Sequence, residues 1–275
     1  MQCGRYNLSL DRARRRPLIM GILNVTPDSF SDGGKFRTLD HALSHAEQMI
    51  ADGVDIIDIG AESTRPGVMP LPTEEELHRL LPVLYALRDC GKPISVDTRN
   101  PSVMREALLA GADMINDVSG FRTEASIRAV SESDCGLCIM HMQNDPQNMQ
   151  HSPHYDDVVA EVARFLADSV SRLQAAGVER TRMCVDPGFG FGKTLDHNVR
   201  LLKELNVLHQ QLDLPLLVGM SRKSMIGALT GKPVHDRLAG SLAAALVAAD
   251  HGADILRVHD VAETVDALKV WHALT

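Results

Sequence analysis

Leu18-Ile19-Met20-Gly21-Ile22-Leu23-Asn24 is a short apolar run that ends on a polar residue. Behind it, Leu39, Ala42, Leu43, Ala46, Met49 and Ile50 recur at i, i+3, i+4 spacing, the stripe of an amphipathic helix. The pair of textures returns seven more times. The further apolar runs are Val54 to Ala61, Pro93 to Asp97, Asp113 to Asp117, Gly136 to His141, Arg182 to Asp186, Pro215 to Gly219 and Ala253 to His259. Helical periodicity follows each, as in Leu77, Leu80, Leu81, Leu84 and Leu87 after the second. Thr73 and Glu76 have the spacing of a capping box at the start of that helix. Gly53, Gly91, Gly111, Gly177 and Gly252 stand where helices should close before the next strand.

Apolar runs without period-two alternation suit parallel strands buried on both faces. Eight strand–helix units with no linker between them predict an α/β chain of one domain, a (β/α)8 TIM barrel spanning residues 1–275. Residues 1–16 are expected to close the barrel bottom as a short turn or hairpin. An open doubly wound sheet is the alternative, but no dinucleotide-binding glycine fingerprint follows the first strand.

Length and composition agree with a barrel. At 275 residues with 44% hydrophobic and only 4% aromatic content, the core must be aliphatic. A net charge of −8 disfavours nucleic acid and membrane surfaces as partners, so any phosphate recognition has to be local. The Arg12 to Arg16 run reads as a solvated turn. With no signal-peptide pattern and no apolar stretch near the ~20 residues of a membrane span, the expected compartment is the cytoplasm, with the five cysteines reduced. Cys135 and Cys138 have redox-pair spacing but lack a second pair and read as buried thiols, and His41 and His45 lack a third metal ligand.

The strand ends carry Asn24, Glu62 to Arg65, Asp97, Asn116 with Asp117, His141, Asp186, Ser221 to Lys223, and Arg257 with His259. On a TIM barrel these converge on one rim, where the active site lies. One such Asp would be a helix cap; recurrence on nearly every strand points to a site. Asp97, Asn116 and Asp186 offer acceptors to a ligand rich in N–H donors, while Lys223, Arg257 and His259 follow strands seven and eight, the usual phosphate corner. A nitrogen-rich head and an anionic tail are implied. Pro187-Gly-Phe-Gly-Phe-Gly-Lys193-Thr194 imitates a phosphate-binding loop, yet Pro187 stands where the motif requires glycine. Residues Thr26 to Lys35 and Thr64 to Gly67 read as lids above the rim.

These motifs resemble one family closely. Gly21-Ile-Leu-Asn24-Val-Thr-Pro-Asp-Ser-Phe-Ser-Asp-Gly-Gly34 and Asp58-Ile-Gly-Ala-Glu-Ser-Thr-Arg-Pro-Gly67 are similar to the two signatures of the dihydropteroate synthase family. Ile94 to Thr98, Ile115 to Asp117, Met140 to Gln143, Asp186 to Lys193, Gly219 to Ser224 and Ile255 to Asp260 are similar to its other blocks, so the resemblance covers residues 17 to 272. It implies condensation of a dihydropterin diphosphate with 4-aminobenzoate by a dissociative path. By that resemblance Asp97, Asn116, Asp186 and Lys223 hold the pterin, with Gly219 in the same pocket and Met140 and Phe191 against the ring. Asn24, Arg257 and His259 hold the diphosphate, with Asn24 also on Mg2+. Phe30, Thr64, Arg65, Pro66 and Ser224 frame the aminobenzoate, and Asp32 helps stabilise the cation, so that Asp32, Asp97, Lys223 and Arg257 form the catalytic set. The resemblance also implies a homodimer through Leu238 to Ala249. A pterin-dependent methyltransferase barrel and a catalytically silent pterin-binding paralogue are the alternatives.

Overall fold

The structure, a computed structural model, describes residues 1–10, 16–26, 35–63, 67 and 69–275, and of residues 35–38 the backbone alone. A short antiparallel hairpin, β1 (Gln2–Cys3) and β2 (Tyr6–Asn7), precedes the barrel. The barrel strands are β3 (Leu18–Asn24), β4 (Ile56–Gly60), β5 (Ile94–Asp97), β6 (Met114–Asp117), β7 (Gly136–Met140), β8 (Met183–Asp186), β9 (Leu217–Val218) and β10 (Ile255–Val258). They run parallel in the order β8-β7-β6-β5-β4-β3-β10-β9. A parallel bridge from Val185 to Leu216, with the Val185 amide donating to the Pro215 carbonyl at 2.9 Å, joins β8 to the start of β9 and closes the ring. Closure leaves the eight-stranded sheet without an open edge for another chain to pair with.

The helices pack outside: α1 (Lys35–Ala51), α2 (Thr73–Leu87), α3 (Pro101–Leu109), α4 (Glu124–Ser131), α5 (Val158–Ala175), α6 (Leu195–Lys203), α7 (Leu205–Leu212), α8 (Ser224–Thr230), α9 (Leu238–Asp250) and α10 (Val261–Leu274). The sixth unit is thus split at Glu204, and the seventh holds two helices. All five helix-closing glycines have positive φ, between 80° and 106°, as the left-handed closing residue requires.

The expected capping box is absent. Pro72 is the N-cap of α2 and supplies no side-chain bond. Thr73 Oγ1 instead accepts from Asn100 Nδ2 at 2.7 Å, and the buried Glu76 accepts from Thr98 Oγ1 at 2.6 Å. Both side chains serve contacts to the next strand–helix unit rather than their own helix.

The continuous apolar strands conceal an alternation between two apolar environments. Ile19, Leu23, Ile57, Ile59, Ile94, Ile115, Leu137, Ile139, Val185 and Leu256 face the helices in the main core. Met20, Ile56, Met114, Cys138, Cys184, Leu217 and Ile255 face inward and form the barrel floor. Cys3 and Leu8 of the hairpin segment plug that floor from below. Arg5 pins the plug, with Nε donating to the buried Asp113 at 2.9 Å. Cys135 lies in the helix-facing core and Cys138 in the floor, so the two thiols belong to different layers.

Candidate active site

Period-two geometry locates the site. Two residues above the floor positions Ile56, Met114, Cys138, Cys184, Leu217 and Ile255 stand Asp58, Asn116, Met140, Asp186, Gly219 and Arg257. Successive inward residues of a barrel strand stack in layers, so this second layer is the floor of a polar pocket. Asp97 joins it through the rung Asn24–Gly60–Asp97–Asn116.

Arg257 lies at the centre. Its Nε donates to Asp58 Oδ2 at 2.6 Å and one terminal nitrogen donates to Asp97 Oδ2 at 2.8 Å. Asp58 Oδ2 also accepts from Asn116 Nδ2 at 3.3 Å. The expected division of the rim into an acidic pocket and a separate basic corner is therefore corrected: the guanidinium is inside the acidic group, because the fully buried Asp58 and the largely buried Asp97 need a cation between them. Asp58 had no assigned role, since a lone Asp inside Ile56-Ile57-Asp58-Ile59-Gly60 reads as part of an apolar strand. Counting two up from the floor residue Ile56 would have found it. Gly219 lies beside Arg257, and a Cβ there would meet Arg257 Cβ at an ordinary contact distance of 3.5 Å.

Burial sets the electrostatics. It raises the Asp97 carboxyl to about 7, against the opposing pull of Arg257. It raises Asp186 as well, with Lys223 opposing, and lowers Lys223 to about 8, with Asp186 opposing. Burial, and then the charge of Arg257, lower His259 to about 4. His259 is therefore a neutral imidazole near pH 7, with Nδ1 sharing a 3.0 Å hydrogen bond with Ser221 Oγ. It offers a hydrogen-bonding group there without a positive charge.

The opposite wall is apolar. Met140, Val118, Met142 and Met149 are buried together and Phe191 packs on them. Lys223 Nζ stands 4.6 Å from the Phe191 ring centroid and donates to the Phe189 carbonyl at 2.5 Å. Asn24 and Ser224 are exposed on the rim.

Two rim residues do not join the pocket. Asp117 turns away to accept from the Ser119 and Phe121 amides, both at 2.8 Å, and fixes the loop after β6. His141 is buried against the edge of Phe165, with ring centroids 5.0 Å apart, and meets Lys193 rather than the pocket. Phe30, Asp32, Thr64, Arg65 and Pro66 lie outside the described residues.

The loop after β8 shapes the Phe191 wall. Gly188, Gly190 and Gly192 all have positive φ, and a Cβ on Gly188 would fall 1.8 Å from the His141 carbonyl oxygen. Gly188→Ala is expected to lower stability by about 3 kcal/mol, from left-handed strain and overpacking together. That corresponds to roughly 6–12 °C in thermal midpoint for a chain of this size. A midpoint within 2 °C of the parent would refute this account of the loop.

A closed barrel with a carboxylate–amide–cation cluster beside an apolar wall is suited to planar, nitrogen-rich rings. Residues 20–259 match the pterin binding enzyme family, and the chain belongs to it. Within that family it resembles dihydropteroate synthases. The dihydropteroate synthase of Neisseria meningitidis serogroup C is 50% identical over 277 residues, 99% of this chain and 96% of that protein. The crystal structure of the Burkholderia cenocepacia dihydropteroate synthase complexed with 7,8-dihydropteroate superposes with a TM-score of 0.90 at 51% identity, covering 100% of this chain and 95% of that one. The Xanthomonas albilineans dihydropteroate synthase with 4-aminobenzoic acid has a TM-score of 0.90 at 50% identity, covering 97% of this chain and 94% of that one.

Proposed function

We infer that this chain joins a dihydropterin, activated as its 6-hydroxymethyl diphosphate, to 4-aminobenzoate, giving 7,8-dihydropteroate and diphosphate. One observation carries the reading onto its own residues: Asn116 Oδ1 is buried with no partner among the described residues, in the same layer as Asp97 and Asp186. Buried acceptors are rarely left unpaired, and a pterin edge supplies the N–H donors they lack. Asp97, Asn116 and Asp186 accept from the ring, Lys223 donates to it, and Met140 and Phe191 cover its faces.

The C–O bond at the pterin methylene breaks first, and diphosphate leaves with the electron pair. The arylamine lone pair then forms the C–N bond, and the amine loses a proton. Arg257 keeps Nη1 outside its two ion pairs, and with His259 it holds the departing oxygens. A preorganised donor set of this kind favours the charge as it develops. Gly60 lies between Asn24 and Asp97 on the same rung, where a Cβ would meet Asn24 Oδ1 at 3.6 Å and Asp97 Cβ at 3.7 Å.

Asn24 would hold Mg2+. It offers one exposed amide oxygen, and among the described residues no three His, Cys, Asp or Glu side chains cluster to hold a metal. Such a site fits an ion that keeps its waters and arrives on phosphate oxygens; when bound, it neutralises charge on the leaving group. EDTA is expected to abolish turnover and Mg2+ to restore it, as read by product formation.

The chain is further proposed to act in the cytoplasm as a homodimer. No described helix is long and apolar enough to cross a membrane. Leu229 on α8, Val234 after it, and Leu238 and Val247 on α9 are exposed apolar side chains, some of which an association through this segment would cover.

Diphosphate release measured with both substrates tests the activity. Release coupled to dihydropteroate formation is expected; pterin binding with no release would identify a silent binder and refute the reading.

A further inference from the structure

Lys193 is buried and takes no part in the chemistry above. It closes the glycine-rich stretch whose sequence imitates a phosphate loop. In the fold it does the opposite of reaching outward. A capping box on α6, in which the Thr194 hydroxyl accepts from the His197 amide and His197 Nδ1 accepts from the Thr194 amide, fixes the residue after it. From that anchor the Lys193 side chain turns back beneath its own loop. Nζ donates to the Gly188 carbonyl at 2.9 Å and to the Phe191 carbonyl at 3.1 Å, and shares a 2.8 Å hydrogen bond with His141 Nδ1.

The loop depends on such contacts. Three glycines with positive φ prevent residues 188–192 from joining a strand or helix; the Gly188 carbonyl accepts from the Phe191 amide at 3.1 Å across the turn, and the other carbonyls need partners outside it. Each carbonyl receives a side-chain donor: Lys193 serves Gly188 and Phe191, Lys223 serves Phe189, Gln150 serves Gly190 and Tyr155 serves Gly192. Lys193 alone binds two of the five, one at each end of the turn that presents Phe189 and Phe191. Those two residues meet the Lys223 amine, through the Phe189 carbonyl and the Phe191 ring. The Gly188 amide in turn donates to Asp186 Oδ1 at 2.7 Å.

We propose that Lys193 is a positioning residue for the pterin pocket: by clamping the Gly188 and Phe191 carbonyls from beneath, with His141 as its third partner, it sets Asp186, Lys223 and the Phe191 wall in register. The inference rests on the function proposed above. Burial accounts for the lowered pKa of both Lys193 and His141, in keeping with a pair enclosed away from solvent.

Lys193→Met keeps the length of the side chain and removes every donor. It is expected to raise KM for the dihydropterin diphosphate at least tenfold and to change KM for 4-aminobenzoate less than twofold. Amide exchange over residues 187–192 should quicken at least tenfold, with residues 18–24 unchanged. Lys193→Gln, which retains an amide donor at shorter reach, should fall between Met and the parent; it decides the matter if the Met variant does not fold. A pterin KM within twofold of the parent with unaltered loop exchange would overturn the proposal. So would exchange that quickens in all strands while both KM values rise together, since that marks general loosening. If the parent releases no diphosphate, the function is wrong; loop exchange and fluorescence titration with 6-hydroxymethylpterin still report on Lys193.

Discussion

Asp186→Asn is expected to lower kcat/KM for the dihydropterin diphosphate by roughly 10³-fold while leaving KM for 4-aminobenzoate within about threefold. Asp186 is buried, and its Oδ1 already accepts from the Gly188 amide at 2.7 Å. Oδ2 is the atom left for a ligand. An asparagine has one acceptor and one donor end. If its oxygen faces Gly188, its NH2 faces the N–H donors of the pterin. If it flips, the NH2 faces the Gly188 amide and displaces the loop that carries Phe191. Either orientation sets donor against donor in a buried place. The loss of a charge-assisted bond plus a donor left unsatisfied comes to about 4 kcal/mol, which is close to three powers of ten. Pterin affinity within threefold of the parent would remove Asp186 from the pocket.

Arg257→Leu should be the most damaging single change to the fold. It leaves Asp58 and Asp97 facing each other without the cation that now bonds both. Removing one partner of a buried ion pair costs about 3–5 kcal/mol, or roughly 10 °C of thermal midpoint here. The deficit should depend on pH. Burial raises the Asp97 carboxyl from 3.8 to about 7, and Arg257 is the strongest influence holding it down. A raised carboxyl prefers to be protonated in the fold, so its contribution is fully present below pH 3.8 and is lost as pH rises through about 7. Without Arg257 the folded value climbs further and the loss continues to higher pH. The midpoint gap between variant and parent should therefore widen from pH 6 to pH 8, as read by calorimetry. A gap that is constant or narrows over that range would contradict the ion-pair arrangement. Turnover should fall with it, because the same guanidinium is proposed to hold the departing diphosphate.

The rim was legible because apolar runs ending in Asn24, Asp97, Asn116, Asp186 and Arg257 stand out against their neighbours. Asp58 was not, because it lies in mid-strand with no break in the surrounding apolar texture. Asp117 and His141 look like rim residues in sequence, yet the alternation of a strand sends Asp117 to the opposite face from Asn116. His141 follows Met140 by one and faces away from the pocket for the same reason. Lys193 was legible only as part of a false motif, since the path of its side chain depends on where α6 begins.

The sequence by itself determined eight strand–helix units, the order in which they follow, the hairpin segment at the barrel bottom and most of the polar residues at the strand ends. These are local properties: hydrophobic periodicity, closing glycines and the residue on which each apolar run stops. Only the tertiary structure decided which apolar face looks inward, because floor and helix-packed core are equally dry and a strand buried on both sides carries no mark of its orientation. Closing the ring fixed that choice for every strand together. It placed Asp58 two residues above Ile56, set Arg257 between Asp58 and Asp97, and brought His141 against Lys193, since charges removed from water find partners across the barrel that no local reading of the chain shows.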